Sequence, residues 1–170
     1  EERGTEYVLD ILQRFQLTLE EHTQVARYCK DKGILYMCTP WDSDSVLALE
    51  ELDVQANKVA SADLTNLPLI ASLIATKKPI ILSTGMSTAE EIQVTTNFLK
   101  ANNADFVLLH CNSTYPAPFH DINLSWMKKL KGIHSLIGYS GHERGIAVTL
   151  AAVALGAKVV ERHFTFDRNM

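Results

Sequence analysis

The sequence predicts an α/β protein built on a parallel sheet. Six short apolar segments with the character of buried strands begin near residues 34, 54, 79, 106, 136 and 158. The stretches between them carry apolar residues at helical spacing, and this alternation favours parallel strands joined by crossover helices. Ser, Thr, Asn and His residues follow the strands, so we expect polar chemistry at the carboxyl edge of the sheet.

Local signals set the bounds of the elements predicted in the first half of the chain. Thr18 and Glu21 form a capping box that begins a helix near Leu19, and Gly33 ends that helix. Pro68 lies in the first turn of a later helix, where proline is tolerated. The predicted elements are a helix over 5–14, a helix over 19–32, a strand over 34–38, a helix over 43–52, a strand over 54–60 and a helix over 65–76.

Similar signals divide the second half. Ser87 and Glu90 cap a helix that runs to about residue 102, and Gly156 ends a helix rich in Ala, Leu and Val. The predicted elements are strands over 79–82, 106–110, 136–139 and 158–163, with helices over 87–102, 123–130 and 145–156.

Two architectures fit six consecutive βα units, an open doubly wound sheet and a closed (β/α)8 TIM barrel. Polar loops after every strand favour the barrel, since barrel enzymes build their active sites from those loops. A complete barrel has eight units in about 250 residues, whereas this chain has 170. We therefore expect residues 1–170 to form a partial barrel with two units absent.

Composition excludes several classes of protein. Hydrophobic residues make up 46% of the chain and charged residues 21%, which is typical of a soluble globular protein. The formal net charge of −4 gives no indication of a nucleic-acid partner, and no apolar window approaches the roughly 20 residues of a membrane span. Three scattered cysteines, Cys29, Cys38 and Cys111, favour reduced thiols and a cytoplasmic location.

Two histidines at the ends of the last two predicted strands indicate a metal site. His142 follows one strand and His163 ends the next, while Glu161 and His163 share a face because strand side chains alternate. A lone histidine is more often structural, but this pair, one βα unit apart beside a carboxylate, favours a divalent metal. Imidazole with oxygen ligands suits Mn, Fe, Co or Zn better than Mg or Ca.

Small hydroxyl side chains recur at four strand ends and one lysine accompanies them. Phosphate requires several short donors and positive charge, so this pattern suggests an anion site. Any single hydroxyl of this kind is more often a turn or cap residue. The polar residues at these ends are Lys58, Ser61, Ser83, Thr84, Asn112, Ser113, Tyr115 and Ser140.

Six ordered motifs resemble the sialic acid synthase family, which comprises N-acetylneuraminate synthase and its relatives. The motifs are Cys38–Asp42, Lys58–Ser61, Ile81–Met86, His110–Pro116, Gly138–His142 and Glu161–Thr165. The resemblance implies a TIM barrel followed by a small antifreeze-like domain. It also implies condensation of phosphoenolpyruvate with an N-acyl hexosamine, N-acetylmannosamine or its 6-phosphate, releasing phosphate, with a divalent metal (Mn²⁺ or Mg²⁺) and a homodimer when full length.

The resemblance also assigns roles to individual residues. His142 and His163 correspond to metal ligands, and Glu161 corresponds to the catalytic acid–base group. Tyr115 is implied to lie nearer the sugar. The implied contacts of phosphoenolpyruvate are Thr39, Lys58, Ser61, Ser83, Ser113 and Ser140.

By this resemblance the chain corresponds to strands three to eight of the barrel. The first two strands are expected before residue 1 and the antifreeze-like domain after Met170, so we expect these 170 residues alone not to catalyse the condensation. Many bacterial relatives carry Asp at the position of Gly141, whereas the animal enzymes that use sugar phosphates resemble the Gly form.

Two other functions are compatible with the sequence. One is a different phosphoenolpyruvate-condensing enzyme or a Schiff-base aldolase on the same barrel, with Lys58 as its nucleophile. The other is a binding or scaffolding fragment without turnover. A catalytic Schiff-base lysine requires a depressed pKa, whereas a lysine that pairs with phosphate does not.

Overall fold

The computed structural model describes residues 9–11 and 13–167, and most predicted elements are present in it. Residues 9–11 and 13–15 are helical; the rest of the helix predicted over 5–14 lies outside the described residues. The remaining elements are α1 Leu19–Asp31, α2 Ser43–Glu51, β1 Asn57–Val59, α3 Leu67–Ala75, β2 Ile80–Ser83, α4 Ala89–Ala101, β3 Phe106–Cys111, α5 Trp126–Ile133, β4 Ile137–Gly141, α6 Ala147–Ala154 and β5 Val159–Arg162, with 3-10 turns at Ser61–Asp63 and Phe119–Asp121.

The five strands form one sheet in sequence order, β1 to β5, and every neighbouring pair is parallel. A doubly wound sheet reverses its strand order at a switch point. An unbroken sequential order is instead that of a barrel wall. The described residues therefore form an α/β fold with a curled parallel sheet, consistent with a partial TIM barrel.

One ion pair demonstrates how strongly the sheet curls. The Lys58 Nζ atom in β1 lies 3.8 Å from the Glu161 Oε2 atom in β5, although three strands separate these two. Strands lie about 4.8 Å apart, so in a flat sheet the two backbones would be about 19 Å apart. Two long side chains can meet only if the wall bends toward its inner face.

The two faces of the curled sheet have different partners. The outer face packs against the helices and supplies buried residues such as Val59, Leu82 and Leu108 to the main hydrophobic core. The inner face alternates with it, and it carries Lys58 and Ser83 at its carboxyl end. Polar side chains therefore lie on the concave side of the wall, away from the helix-packed core.

The prediction of a strand over 34–38 was wrong. None of these residues pairs with β1, and Ile34 and Leu35 are 64% and 70% exposed. The apolar pattern that predicted the strand is real, but a strand also requires a neighbouring backbone to bond, and the described residues provide none alongside this segment. Five strands are therefore observed rather than six, and the assignment to strands three to eight stays a prediction.

The sequence also predicted that the chain has no membrane span and that its cysteines are reduced. In the part of the chain that the structure describes, no helix is both long and apolar enough to cross a membrane. Cys29, Cys38 and Cys111 are all free, as their scattered positions predicted.

Gly138 allows close packing at the centre of the wall, and its replacement by alanine should destabilise the fold. An added Cβ would lie 2.5 Å from the Val159 carbonyl oxygen and would also collide with the Leu109 side chain. Because backbone cannot move cheaply, we expect a loss of about 1–3 kcal/mol in the free energy of unfolding. Gly132→Ala is the matched control, since its Cβ would meet nothing within 4 Å and helical alanine is favoured by about 0.5–1 kcal/mol. Equal denaturation midpoints for Gly138→Ala and wild type would contradict this packing argument.

Candidate active site

Strand register brings the predicted polar residues to one edge of the inner face. Cys111 in β3 is level with Ser140 in β4, and Ser140 is level with Glu161 in β5. Residues level on adjacent parallel strands point to the same side, so these three side chains form a row. Ser83 in β2 is level with Leu109, and Lys58 in β1 is level with Ile81, so both lie on the same face but lower along the strands. The long Lys58 side chain bridges that difference by donating to the Ser83 hydroxyl.

Lys58 is the buried cation of this edge. Its side chain donates hydrogen bonds to the Ser83 hydroxyl at 2.9 Å and to the Val59 carbonyl at 2.8 Å. Burial lowers the pKa of Lys58, and the Glu161 carboxylate 3.8 Å away offsets part of that shift by favouring the charged form. The amine is thus held in place by three oxygen groups at the concave side of the sheet.

Glu161 is anchored but still open to a ligand. The Ser140 hydroxyl donates to its Oε1 atom at 2.6 Å, while Oε2 is the atom nearest Lys58. The side chain is 42% exposed, so one edge of the carboxylate remains accessible. A carboxylate fixed by a hydroxyl and a cation at the mouth of a cleft is suited to move a proton on a bound molecule.

A small cleft lies between the ends of β4 and β5. Its lining residues are Ser140, Gly141, His142, Glu161, Arg162 and His163. The predicted catalytic carboxylate and both predicted metal ligands therefore line the same space.

The two histidines face each other in this cleft, with ring centroids 5.2 Å apart. The Nδ1 atom of His142 lies 2.6 Å from the Asn112 carbonyl oxygen, which can only accept a hydrogen bond. His142 therefore donates from Nδ1, and in the neutral ring this leaves Nε2 as the nitrogen with a lone pair for a metal.

The donor set fits a divalent metal only in part. Among residues 9–11 and 13–167, no group of three or more His, Cys, Asp and Glu side chains is arranged to hold a metal ion. Two imidazoles with one defined free nitrogen suit a transition metal whose remaining positions are filled by water or by substrate oxygens.

Tyr115 covers the histidine pair. Its ring centroid lies 4.1 Å from that of His142 and 5.4 Å from that of His163. Burial raises the pKa of Tyr115, and Cys111 and Glu161 raise it further. The phenol therefore stays protonated at neutral pH and offers a hydrogen bond at the rim, where Tyr115 is 64% exposed.

The other three residues predicted to contact phosphoenolpyruvate, Ser61, Ser113 and Thr39, have fewer bonds to the rest of the site. Ser61 accepts a hydrogen bond from the Gly85 amide at 3.0 Å, which fixes the loop after β2, and the Ser113 hydroxyl lies 3.9 Å from the Cys111 sulfur. Thr39 lies in the irregular segment between α1 and α2. Within the described residues, its side chain makes no hydrogen bond to the rest of the site.

The family of this chain follows from comparison with known proteins. A family model described as the NeuB family matches residues 1–170. This chain belongs to the NeuB family. The predicted resemblance to sialic acid synthases is thereby confirmed.

Named NeuB relatives are synthases of several related acids. The chain is 44% identical over 166 residues to the N,N'-diacetyllegionaminic acid synthase of Campylobacter jejuni, across 95% of this chain and 50% of that protein. It is 36% identical over 151 residues to the N-acetylneuraminate-9-phosphate synthase of Homo sapiens, across 88% of this chain and 42% of that protein. The chain spans about half the length of the curated relatives it matches.

Solved structures support the same assignment. The N-acetylneuraminic acid (sialic acid) synthetase of Leptospira borgpetersenii, crystallised with citrate, matches with a TM-score of 0.93 at 34% identity, covering 96% of this chain and 58% of that one. A truncated 3-deoxy-D-arabino-heptulosonate 7-phosphate synthase from Thermotoga maritima matches with a TM-score of 0.72 at 16% identity, covering 86% of this chain and 60% of that one, which indicates a shared fold alone.

Sequence reasoning missed one polar cluster of this NeuB chain. Glu143 is 3% exposed, and it accepts hydrogen bonds from the Tyr139 hydroxyl and from Arg162. The sequence carried a signal that such a partner exists, although not which residue it is. Arg162 alternates with Glu161 and so faces the helix-packed side, and a charge there requires a buried partner.

Proposed function

We propose that this chain provides much of the active site of a synthase that condenses phosphoenolpyruvate with an N-acyl hexosamine. The acceptor is N-acetylmannosamine or its 6-phosphate, and the products are a sialic acid-type nonulosonate and phosphate. The observation that carries the proposal is the meeting of Lys58, Ser140 and Glu161 beside the facing imidazoles of His142 and His163. Relatives named as synthases of such acids support it.

The reaction joins two carbons and removes one phosphate. Carbon-3 of phosphoenolpyruvate attacks the aldehyde carbon of the open-chain sugar. The electrons of the C=O π bond move to the aldehyde oxygen, which takes up a proton to become a hydroxyl, and carbon-2 is left electron-poor. Water adds at carbon-2 and loses a proton, and phosphate then departs with the electron pair of its carbon–oxygen bond. The protein must therefore hold an anion, activate an aldehyde and manage a proton.

Lys58 and the strand-end hydroxyls are proposed to hold the anionic groups of phosphoenolpyruvate. The ammonium supplies charge, and Ser83 is already within 2.9 Å of it. Ser61, Ser113 and Ser140 extend the hydroxyl edge. A buried cation with several short donors binds phosphate or carboxylate strongly because little water competes there.

Glu161 is proposed to manage the proton at carbon-2. Its Oε1 atom is fixed by Ser140, and its exposed edge faces the cleft that also contains the histidines. The carboxylate can accept the proton of the water that adds, and later return it to the departing phosphate.

His142 and His163 are proposed to hold a divalent metal, Mn²⁺ or Mg²⁺. The free Nε2 atom of His142 suits this role because Asn112 fixes the ring through Nδ1. Such a metal would polarise the aldehyde and orient it. Tyr115, whose ring centroid lies 4.1 Å from that of His142, would contact the sugar beside that position.

The proposal is tested by supplying the full-length protein with phosphoenolpyruvate, Mn²⁺ and either N-acetylmannosamine or its 6-phosphate. We expect release of phosphate and appearance of a nine-carbon keto acid, detected by mass spectrometry, with one of the two acceptors. Phosphate release without a carbon–carbon product would refute the condensation.

A Schiff-base aldolase is the second candidate, because burial lowers the pKa of Lys58 as an amine nucleophile would require. Its geometry argues against that role. The nitrogen already donates to Val59 and Ser83, and Glu161 stabilises the ammonium form. We expect borohydride with pyruvate to leave Lys58 unmodified, and a Lys58 adduct found by peptide mass mapping would favour the aldolase.

Replacing Lys58 by methionine should weaken phosphoenolpyruvate binding by about 10–150-fold. A charge-assisted hydrogen bond contributes about 1.5–3 kcal/mol, and methionine retains the apolar stem without the charge. Calorimetry of the full-length protein measures the affinity. Lys78→Met is the matched control, since that lysine pairs with Glu50 at 2.6 Å near the opposite end of β2. An equal loss in both variants would indicate a general charge effect instead of a binding site.

A further inference from the structure

An ion pair between a buried carboxylate and a partly exposed arginine lies next to both imidazoles in the chain. Glu143 directly follows His142, and Arg162 directly precedes His163. The Glu143 carboxylate accepts hydrogen bonds from Arg162 and from the Tyr139 hydroxyl, the latter at 2.6 Å. Burial alone would raise the pKa of Glu143, but the hydrogen bond from Tyr139 and the charge of Arg162 outweigh it and lower that pKa.

Arg162 also fastens the main chain of the loop between β4 and α6. Its Nη2 atom donates to the Glu143 carbonyl at 2.6 Å and to the Gly145 carbonyl at 3.1 Å. The planar guanidinium holds its five N–H donors in a fixed fork, which suits a carboxylate and two carbonyls at once, whereas the three donors of a lysine sit on one compact nitrogen without that fixed geometry. Arg162 of β5 therefore holds in place the loop that begins with His142.

The side chains of Tyr139, Glu143 and Arg162 fill the space beside Gly141 at the end of β4, so that no room is left there for a side chain. A Cβ at Gly141 would lie 2.7 Å from the Tyr139 ring and 2.8 Å from the Glu143 carboxylate, and it would collide with Arg162. Glycine at this position is what allows the ion pair to pass close to the strand.

We propose that Glu143 and Arg162 are positioning residues that set the spacing of His142 and His163 for metal binding. The inference rests on the proposed metal role of the two histidines. Neither Glu143 nor Arg162 needs to touch the metal, because the pair joins the residue after one imidazole to the residue before the other. The Ser140–Glu161 hydrogen bond also joins β4 to β5, but it lies before both imidazoles. Without the Glu143–Arg162 pair, the loop that begins with His142 loses its side-chain bonds to β5, and the 5.2 Å separation of the ring centroids is set less tightly.

Glu143→Gln and Arg162→Lys test the proposal in the full-length protein, with Mn²⁺ alone as the probe. Outer-shell partners of metal ligands typically contribute 10–100-fold to affinity, so we expect calorimetry to show roughly that loss in both variants. Circular dichroism and thermal melts confirm that each variant is folded at the temperature of the titration. A network with only a structural role would lower the melting temperature and leave the affinity of the folded protein unchanged.

Glu50→Gln is the matched control, because it makes the same chemical change in the ion pair with Lys78, remote from the histidines. It should bind Mn²⁺ as wild type does. If wild type binds and both network variants bind equally well, the inference is overturned while the metal site stands. If wild type itself binds no Mn²⁺, the metal part of the proposed function fails and this inference fails with it. Should Glu143→Gln not fold, Arg162→Lys decides the question, since it retains a positive charge near Glu143.

Discussion

Replacing either His142 or His163 by alanine should abolish stoichiometric Mn²⁺ binding by the full-length protein. The two rings face each other with centroids 5.2 Å apart, and no third His, Cys, Asp or Glu completes a metal cluster with them among the described residues. Removal of one imidazole therefore removes half of the protein donors that the structure describes at this position. Titration calorimetry with Mn²⁺ measures the result.

His120→Ala provides a control for that experiment. His120 lies at the surface with its side chain 81% exposed, next to the neighbouring Asp121. Its loss should leave Mn²⁺ affinity unchanged. Wild-type affinity in both cleft variants would remove the metal assignment, while a loss in His120→Ala would indicate non-specific binding.

Glu161→Gln should lower turnover by roughly 10²–10⁴-fold, the usual contribution of a positioned general acid or base. Glutamine has the same size and still accepts the hydrogen bond from Ser140, but it cannot exchange a proton. Phosphoenolpyruvate and Mn²⁺ should still bind, because Lys58, Ser83 and the histidines are unchanged. Steady-state phosphate release gives the rate, and calorimetry gives the two affinities.

Ser140→Ala distinguishes proton transfer from placement. That variant leaves the Glu161 carboxylate intact and removes only the hydroxyl 2.6 Å from it, so its turnover should fall less than that of Glu161→Gln. Activity of Glu161→Gln within a few-fold of wild type would reduce Glu161 to a positional role.

The strand-end pattern could be read from the sequence because it depends on short-range rules. Glu161 and Ser140 each lie at the end of an apolar run, and parallel strands joined by a helix align such ends. Their pairing in the register of β4 and β5 follows directly. The same rule placed His142 and His163 beside each other, and the capping box at Thr18 was found where predicted.

Features that depend on tertiary surroundings could not be read in this way. Ile34 and Leu35 are apolar and β-prone, but no neighbouring strand among the described residues bonds to them. The Glu143–Arg162 pair required knowledge of which face of β5 meets α6 and the preceding loop. Lone charges in a sequence do not reveal the partner that neutralises them.

The contact between Lys58 and Glu161 has a mechanical consequence. The two side chains meet across the concave side of the curled sheet, with the Lys58 Nζ atom of β1 3.8 Å from the Glu161 Oε2 atom of β5. An anion that binds Lys58 and the hydroxyls of neighbouring strands would connect several strands of the curled sheet through one ligand. Its binding energy should then also appear as resistance to unfolding, by about 2.7 kcal/mol at a ligand concentration one hundred times the Kd. Occupancy of the anion site and the stability of the wall are therefore thermodynamically linked.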